Sequence, residues 1–507
     1  MSEAPRPEVR SQHPPETLAL TGSLDQNAQT LQELFQGDDG FVLRPIQNRY
    51  FEERRYFLAY CAGMMDQHFV SETIIKPLAS ERLERTGSDT AGTVLRQVLY
   101  AHGPGKQAET FADLVEAAAY GDAVVLLPDG SALIFGAQGF PIRGITEPEG
   151  EKLLSGPREG FCEALMPNLT LIRRRLRTND LKLRFMTFGE RSRTRACVCY
   201  LDSLVNRPVL AELERRLDTI FIDGTLDSHY LAELVSDHPY SPFSSLGSTE
   251  RPDAVVSKLL EGRVAVLLDG SPVALTLPYL FIENFHAGED YYLNYLYASF
   301  SRMLRILSFC AAALVPGAYI AVTAFHQEIL PLPLLINIVR EKQSVPFPVG
   351  LEVFSLLVIF DILRETGIRM PSGLGQAMSV VGALVLGQAA VAAKLASSMV
   401  IVVVALAGVT SLLIPKLSAA TLVLRYGILM LSLLLGFPGL MLGLSAALAH
   451  ILGLRSFGMP QTVLSGNLRA QDMKDIAVRA PLFAMRERGP VSPNRRRSRN
   501  AAWRDTK

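Results

Sequence analysis

The sequence predicts a soluble α/β N-terminal region of two subdomains, followed by an all-α multi-span transmembrane bundle. Three observations carry that prediction. Up to about Phe300 the chain alternates short apolar runs with amphipathic stretches and keeps its charges throughout. From about Leu304 to Leu454 it contains runs almost without charge, such as Met378–Ala393, Met399–Pro415 and Tyr426–Leu452, and roughly 20 apolar residues cross a bilayer core as a helix. Within the first part, a helix–glycine–strand–Asp-Gly–strand pattern occurs twice. The boundaries that follow are a leader over 1–22, subdomains over 23–145 and 146–300, a helical domain over 301–458 and a basic tail over 459–507.

Composition narrows the function classes. The 507 residues hold 50 Lys+Arg against 50 Asp+Glu, so formal net charge is zero and the whole-chain balance predicts no nucleic-acid partner. The basic residues Arg486, Arg488, Arg495, Arg496, Arg497, Arg499, Arg504 and Lys507 concentrate at the end, among prolines and serines. They predict a disordered tail on the cytoplasmic side, next to anionic lipid. The five cysteines fit no zinc spacing, and Cys197 and Cys199 share one face of a strand, which predicts core filling in a reducing compartment. Met1–Thr17 is polar and proline-rich with no apolar signal segment, so the soluble region is expected in the cytoplasm.

In the soluble half, Asp25–Phe35 has helical periodicity, Phe41–Arg44 and Tyr56–Ala62 read as strands, and Asp66–Ile75 resumes as helix. Ala108–Ala119 then reads as helix, broken by Gly121. It is followed by Val124–Leu127, Asp129-Gly130 and Ala132–Phe135. Ala254–Leu260, Gly262, Val264–Leu268, Asp269-Gly270 and Val273–Leu275 repeat the order. Asp-Gly supplies the positive φ of tight hairpin turns, so Asp269 reads as a turn residue. A nucleotide-hydrolysing acid would need a phosphate-cradling G-x-x-x-x-G-K-[S/T] loop, which the chain lacks. Gly-x-Gly-x-x-Gly, His-Glu-x-x-His and Gly-x-Ser-x-Gly are also missing, so no enzyme, cofactor or metal site is expected. Arg173, Arg174 and Arg175 form a basic run with Arg177. Its readings are an anion site, a subunit contact, a lipid-facing patch, or a solvated face paired with Glu159 and Glu163.

In the second half the expected spans are Ile306–Phe325, Met378–Lys394, Met399–Leu413, Ala419–Leu435 and Leu440–Leu454. Prolines at Leu330–Leu334 and Val345–Pro348 interrupt helix between the first two. Val349–Leu363 is a tilted sixth span, or a re-entrant or interfacial helix. Arg302, Arg305 and the basic tail place both ends in the cytoplasm, which requires an even count: six, or four plus re-entrant segments. Asp361 and Glu365 share a helix face and would form acidic collars attracting monovalent cations in a ring of subunits, or lie among headgroups paired with Arg364 and Arg369. Gln376, Ser379, Ala383, Gly387, Ala390 and Lys394 fall on one helical stripe, small in the middle and polar at both ends. The stripe lines a narrow pore that closes by dewetting, or packs closely against neighbouring helices. Arg425, inside the next-to-last span, is expected to snorkel or pair.

Several ordered motifs resemble one family. They are Gly156–Phe161, Leu171–Arg175, Thr249–Asp253, Leu260–Arg263 with Asp269-Gly270, Glu289–Tyr292, Val345–Pro348, Leu363–Pro371, Val381–Val391 and Arg455-Ser-Phe-Gly458. Together they resemble the A subunit of bacterial spore germinant receptors, the GerA family. The resemblance implies an ion-conducting homo-oligomer in the inner spore membrane, working with a transporter-like B subunit and a lipoprotein C subunit. Opening would release monovalent cations and start germination. The alternatives are a non-conducting scaffold or a small-solute carrier. Three positions depart from the family pattern: Asp361 stands where Glu is expected, and Lys394 and Ser398 where Gly and Pro are usual.

Overall fold

The computed structural model describes residues 18–50, 55–80, 98–99, 105–139, 151, 155–369 and 387–462, with short pieces between 474 and 492. They fall into two compact units. The first takes the chain to Val235, Leu246–Pro278 and a C-terminal piece from Arg488. The second takes Ser236–Ser245 and Tyr279–Glu487.

The first unit holds two five-stranded antiparallel sheets of one topology. In the first, β1 (Phe41–Gln47), β2 (Arg55–Cys61), β3 (Gly105–Ala108), β4 (Ala123–Leu126) and β5 (Ala132–Phe135) lie in the order β1-β2-β4-β5-β3. In the second, β6 (Leu181–Phe188), β7 (Thr194–Leu201), β8 (Gly247–Thr249), β9 (Val264–Leu268) and β10 (Ala274–Leu277) lie in the order β6-β7-β9-β10-β8. The repeat in the sequence is therefore the second half of a longer structural repeat: hairpin, helices, edge strand, helix, hairpin.

Helices α1 (Leu24–Leu34) and α2 (Phe111–Tyr120) cover one face of the first sheet, against Ala59, Cys61, Val124 and Leu126. The helical turns Gln67–Val70, Ser71–Ile75 and Lys76–Ser80 cover the other, against Tyr56, Leu58, Val125 and Leu133. Alternate strand residues point to opposite faces. Covering both faces therefore explains why β4 is apolar at every position. Thr110 and Asp113 cap α2 reciprocally. Gly121 ends it at φ +98°, where a Cβ would lie 2.8 Å from the Met64 carbonyl oxygen.

In the second sheet, α3 (Leu165–Arg175) and α6 (Pro252–Leu260) pack on the face carrying Leu181, Leu183, Cys197, Cys199 and Leu267. Helices α4 (Arg207–Asp218) and α5 (Ser228–Leu234) link β7 to β8. Cys197 and Cys199 are buried thiols with sulfurs 3.8 Å apart, the core-filling role expected of them. Gly130 (φ +80°) and Gly270 (φ +88°) occupy the expected hairpin turns. Asp269 has a task beyond its turn: its carboxylate accepts the Leu165 N–H at 2.9 Å, capping α3 from another element.

The second unit is helical: α7 (Tyr295–Ile320), α8 (Leu332–Lys342), α9 (Val349–Arg369), α10 (Ser398–Leu412), α11 (Ser418–Leu435) and α12 (Phe437–Gly453). Prolines set its punctuation, since proline fits the first helical turn and lacks the N–H needed later. Pro331 and Pro333 open α8, and Pro438 opens α12. Helices α7 and α11 run parallel, with Phe309 near Leu417 and Gly317 against Ile428 and Ser432. Helix α12 runs antiparallel to α11, with Gly443 against Ile428 and Gly439 against Leu431. Helices α9 and α10 are parallel, matching Glu352 with Ser397, Phe360 with Gly408 and Arg364 with Ser411. The chain therefore leaves α9 at one end and enters α10 at the other. Two stretches among the described residues, Tyr295–Phe325 and Pro415–Leu435, are long and apolar enough to cross a membrane. The first begins eleven residues before the expected Ile306. Helices α10 and α12 are apolar but shorter.

The expectation of a disordered tail from Arg486 is corrected in part. Arg488 Nε donates to the Leu260 carbonyl at 2.8 Å, Gly489 N–H to Glu261 at 2.8 Å, and Asn206 Nδ2 to the Val491 carbonyl at 3.1 Å. These bonds hold the described part of the tail on the first unit. The residues after Ser492 lie outside the described set.

Candidate functional site: charged groups within and at the ends of the helical bundle

Asp361 and Arg425 meet between α9 and α11. One Asp361 oxygen takes Arg425 Nη2 and, at 2.7 Å, the Tyr426 hydroxyl. The Arg425 side chain is 1% exposed. Arg425 thus pairs, as one of its two expected readings held, and its partner is Asp361. This corrects the expectation that Arg364 or Arg369 would neutralise Asp361. Arg364 instead turns to α10, with Nη1 3.5 Å from Ser411 Oγ. Asp361 and Glu365 occupy neighbouring positions on one helix, yet Asp361 is committed to α11 while Glu365 is exposed. Asp361 Oδ1 and Arg425 Nε and Nη1 find no hydrogen-bond partner among the described residues. A buried pair satisfied by half is costly.

At the other end of α9, two carboxylates cap α10. Glu352 Oε1 accepts the Ser397 N–H, and Glu341 on α8 accepts the Ser398 N–H at 3.1 Å and its hydroxyl at 2.6 Å. Carboxylates suit a helix N-terminus, where free N–H groups and the helix dipole concentrate positive charge. A proline at position 398 would offer Glu341 neither donor, so Ser398 supplies this tie between α8 and α10.

Of the expected stripe, Gln376, Ser379 and Ala383 lie outside the described residues. Gly387 and Ala390 lie on a helical run over 387–392. Lys394 does not extend it: at φ +53° it is the left-handed residue closing the helix. Its own N–H bonds to the Val391 carbonyl at 3.0 Å, and Leu395 N–H to that of Ala390 at 2.9 Å. This is the reverse turn in which glycine is the favoured residue. Lys394→Gly is accordingly expected to raise stability by about 0.5–1 kcal/mol by removing the left-handed Cβ penalty. Thermal unfolding in detergent would show a small upward shift, and a downward one would mean the lysine ammonium has a stabilising contact.

In the N-terminal half of α7, Arg302 and Arg305 converge on Asp290 at 2.9 and 3.0 Å, and Arg302 also reaches Asp475 at 2.8 Å. Sequence reasoning read both arginines only as orientation signals. The clue to their partner was Glu289–Tyr292, whose aspartate is almost fully buried. His286 lies beside them, its Nε2 3.0 Å from the Ile476 carbonyl. Burial first, then the Arg302 charge, pushes its pKa down to about 4. Unfolded histidine titrates near 6.5, so this stabilisation is complete above about 6.5 and is lost as pH falls toward 4. Melting temperature against pH should fall over that window in the parent and less steeply in His286→Gln.

The arginine run is not one site. Arg173 is buried, Nη2 2.7 Å from Asp38 and Nη1 3.3 Å from the Cys61 sulfur. The solvated-face reading is thereby corrected for Arg173. Arg174 and Arg175 both bind Glu159, as that reading expected. Helix α3 ends at Arg175, so Arg177 shares no helical face with Arg173. Its guanidinium stacks 3.6 Å over the Tyr120 ring.

Comparison with known proteins covers both units. The profile of the family described as GerA, Bacillus/Clostridium GerA spore germination protein, matches residues 29–491. Spore germination protein KA of Bacillus subtilis (strain 168) is 35% identical over 478 residues, covering 92% of this chain and 86% of that one. Spore germination protein GerLA of Bacillus cereus is 31% identical, covering 86% and 88%. The crystal structure of the N-terminal domain of the A subunit of the Bacillus megaterium spore germinant receptor GerK3 matches at 25% identity and a TM-score of 0.41, covering 52% of this chain and 97% of that domain. On the length of the profile match and the identity to full-length relatives, the chain belongs to the GerA family of spore germination proteins.

Proposed function

We propose that this chain is the membrane subunit of a nutrient germinant receptor of bacterial endospores, and that several copies form the ligand-gated cation channel that starts germination. The observation that carries the reading is the likeness to germination proteins, which runs unbroken through the α/β unit and the helical bundle. The Asp361–Arg425 pair held between apolar helices supports it, because an ionisable group inside a membrane bundle is a functional candidate by default. The direction of the helices supports six crossings. A return of the chain between the parallel α9 and α10 would bring both ends of the bundle to one side. In this reading the α/β unit and tail face the cytoplasm from the inner spore membrane, and the partners are a transporter-like B subunit and a lipoprotein C subunit.

The test is single-channel recording of the full chain with both partners in a planar bilayer. Unitary cation currents are expected, and in Glu365→Lys a cation-over-anion permeability ratio lowered severalfold, because an exposed carboxylate at a pore mouth concentrates cations. An unchanged ratio with normal assembly would remove Glu365 from the pore. A silent sample would favour the scaffold or carrier.

A further inference from the structure

Ten residues of the chain, Ser236–Ser245, leave the α/β unit at Val235 and rejoin it at Leu246, and between those points belong to the helical unit. Their anchors concentrate on the chain just after α12. There, β11 (Arg455–Ser456) and β12 (Met459–Pro460) form a two-residue hairpin. Phe457 and Gly458 both have positive φ, +49° and +76°, as such a turn requires. Asp237 accepts the Phe457 N–H. Ser456 Oγ donates to the Ser245 carbonyl at 2.6 Å and accepts the Tyr279 N–H at 3.0 Å. One buried hydroxyl thus ties together two of the points where the chain passes between the units, the exit at Ser245 and the entry at Tyr279. Gln461 Nε2 adds a bond to the Ser244 carbonyl at 3.1 Å, and Ser241 Oγ lies 2.8 Å from His450 Nε2 on α12. Between these polar ties Phe243, 3% exposed, sits among Phe281, Phe285 and Phe309, the last on α7.

We propose that Ser236–Ser245 is a coupling strap. It is covalently continuous with the α/β unit at both ends and clasped by Arg455–Gly458. It transmits displacement of that unit to the middle of α7, at Phe309, and to the C-terminal end of α12, at His450. Asp237 and Ser456 are its positioning residues. The polar ties are few and directional, so they hold one register. The phenylalanine cluster supplies the grip, since withdrawing a buried aromatic returns its apolar surface to water. This gives Ser456 and the positive-φ turn at Phe457-Gly458 a task outside the charged pairs of the bundle.

The inference rests on the receptor reading, and the experiment separates the two. In spores carrying the receptor with its partners, Asp237→Ala and Ser456→Ala should each shift the germinant concentration for half-maximal cation release by about fivefold or more, with protein level and melting temperature near the parent. Asp237→Asn, which keeps an oxygen to accept the Phe457 N–H, should restore the parent response. Hydrogen exchange on the purified full chain should quicken across 236–245 and 455–461 in the alanine variants. If deletion of the chain leaves release intact, the receptor reading fails. If deletion abolishes release but both alanine variants respond as the parent does, the strap fails. Equal loss in Asp237→Asn and Asp237→Ala would also overturn it.

Discussion

Asp361→Ala should destabilise the helical unit by about 3–5 kcal/mol, because it leaves the Arg425 guanidinium buried without its counterion. No second acid pairs with Arg425 among the described residues. Arg425 Nε and Nη1 are already without partners among the described residues, and the helices around them are apolar. Arg425→Ala should cost a similar amount for the mirror reason. The informative comparison is Asp361→Leu with Arg425→Met. Replacing both members by apolar groups of similar volume removes the desolvation cost as well as the attraction, so most of the loss should return. Unfolding in detergent, followed by helical signal, gives all four values. If the single variants melt with the parent, the pair is hydrated and contributes little. If the double variant is as unstable as the singles but folded, the polar groups themselves specify how α9 meets α11.

The second large effect belongs to the α/β unit. Arg173 and Asp38 come from different sheets' elements, 135 residues apart, and their side chains are 2% and 0% exposed. Asp38 also accepts the Gly40 N–H at 2.9 Å, so both its oxygens are used. The thiol beside the guanidinium does not share the charge, because burial pushes the Cys61 pKa up to about 11. Arg173→Ala should therefore cost about 3–5 kcal/mol. Arg174→Ala, two elements of the same motif notwithstanding, should cost less than about 1 kcal/mol, since its pair with Glu159 is partly exposed and screened. Denaturant midpoints of the α/β transition in the full chain would separate them. Similar losses at both positions would mean that the short loop around Glu159, rather than burial, sets the energetics.

These two pairs show where sequence reasoning stopped. Periodicity placed α1, α2, α6 and the hairpins β4–β5 and β9–β10 because each is decided by neighbours within a few residues: apolar alternation, a capping threonine, a glycine with positive φ. The edge strands β3 and β8 were missed. β3 is largely polar, with only Ala108 buried, and β8 is three residues long, so neither carries a pattern strong enough to read. The arginine run was visible, but its division was not. Arg173 and Arg174 are adjacent letters, and only the approach of Asp38 from 135 residues away separates a buried tie from a surface pair. Lys394 was read as the end of a helical stripe because the pattern continues through it. The left-handed φ that ends the helix there is a backbone property that residue type did not announce.

By itself the sequence determined a two-part molecule, a duplicated α/β hairpin pattern and an apolar helical second half with acids at depth. Each follows from local composition, and burial of apolar surface acts on every such segment wherever it ends up. The tertiary structure decided which charges face each other, Asp361 with Arg425, Arg302 with Asp290, Asp38 with Arg173. It also decided that ten residues between α5 and β8 are clasped by a hairpin more than 200 residues later. The energy of a charge in a low-dielectric interior depends on the group brought within about 3 Å of it, and distance in space is the quantity that order along the chain does not contain.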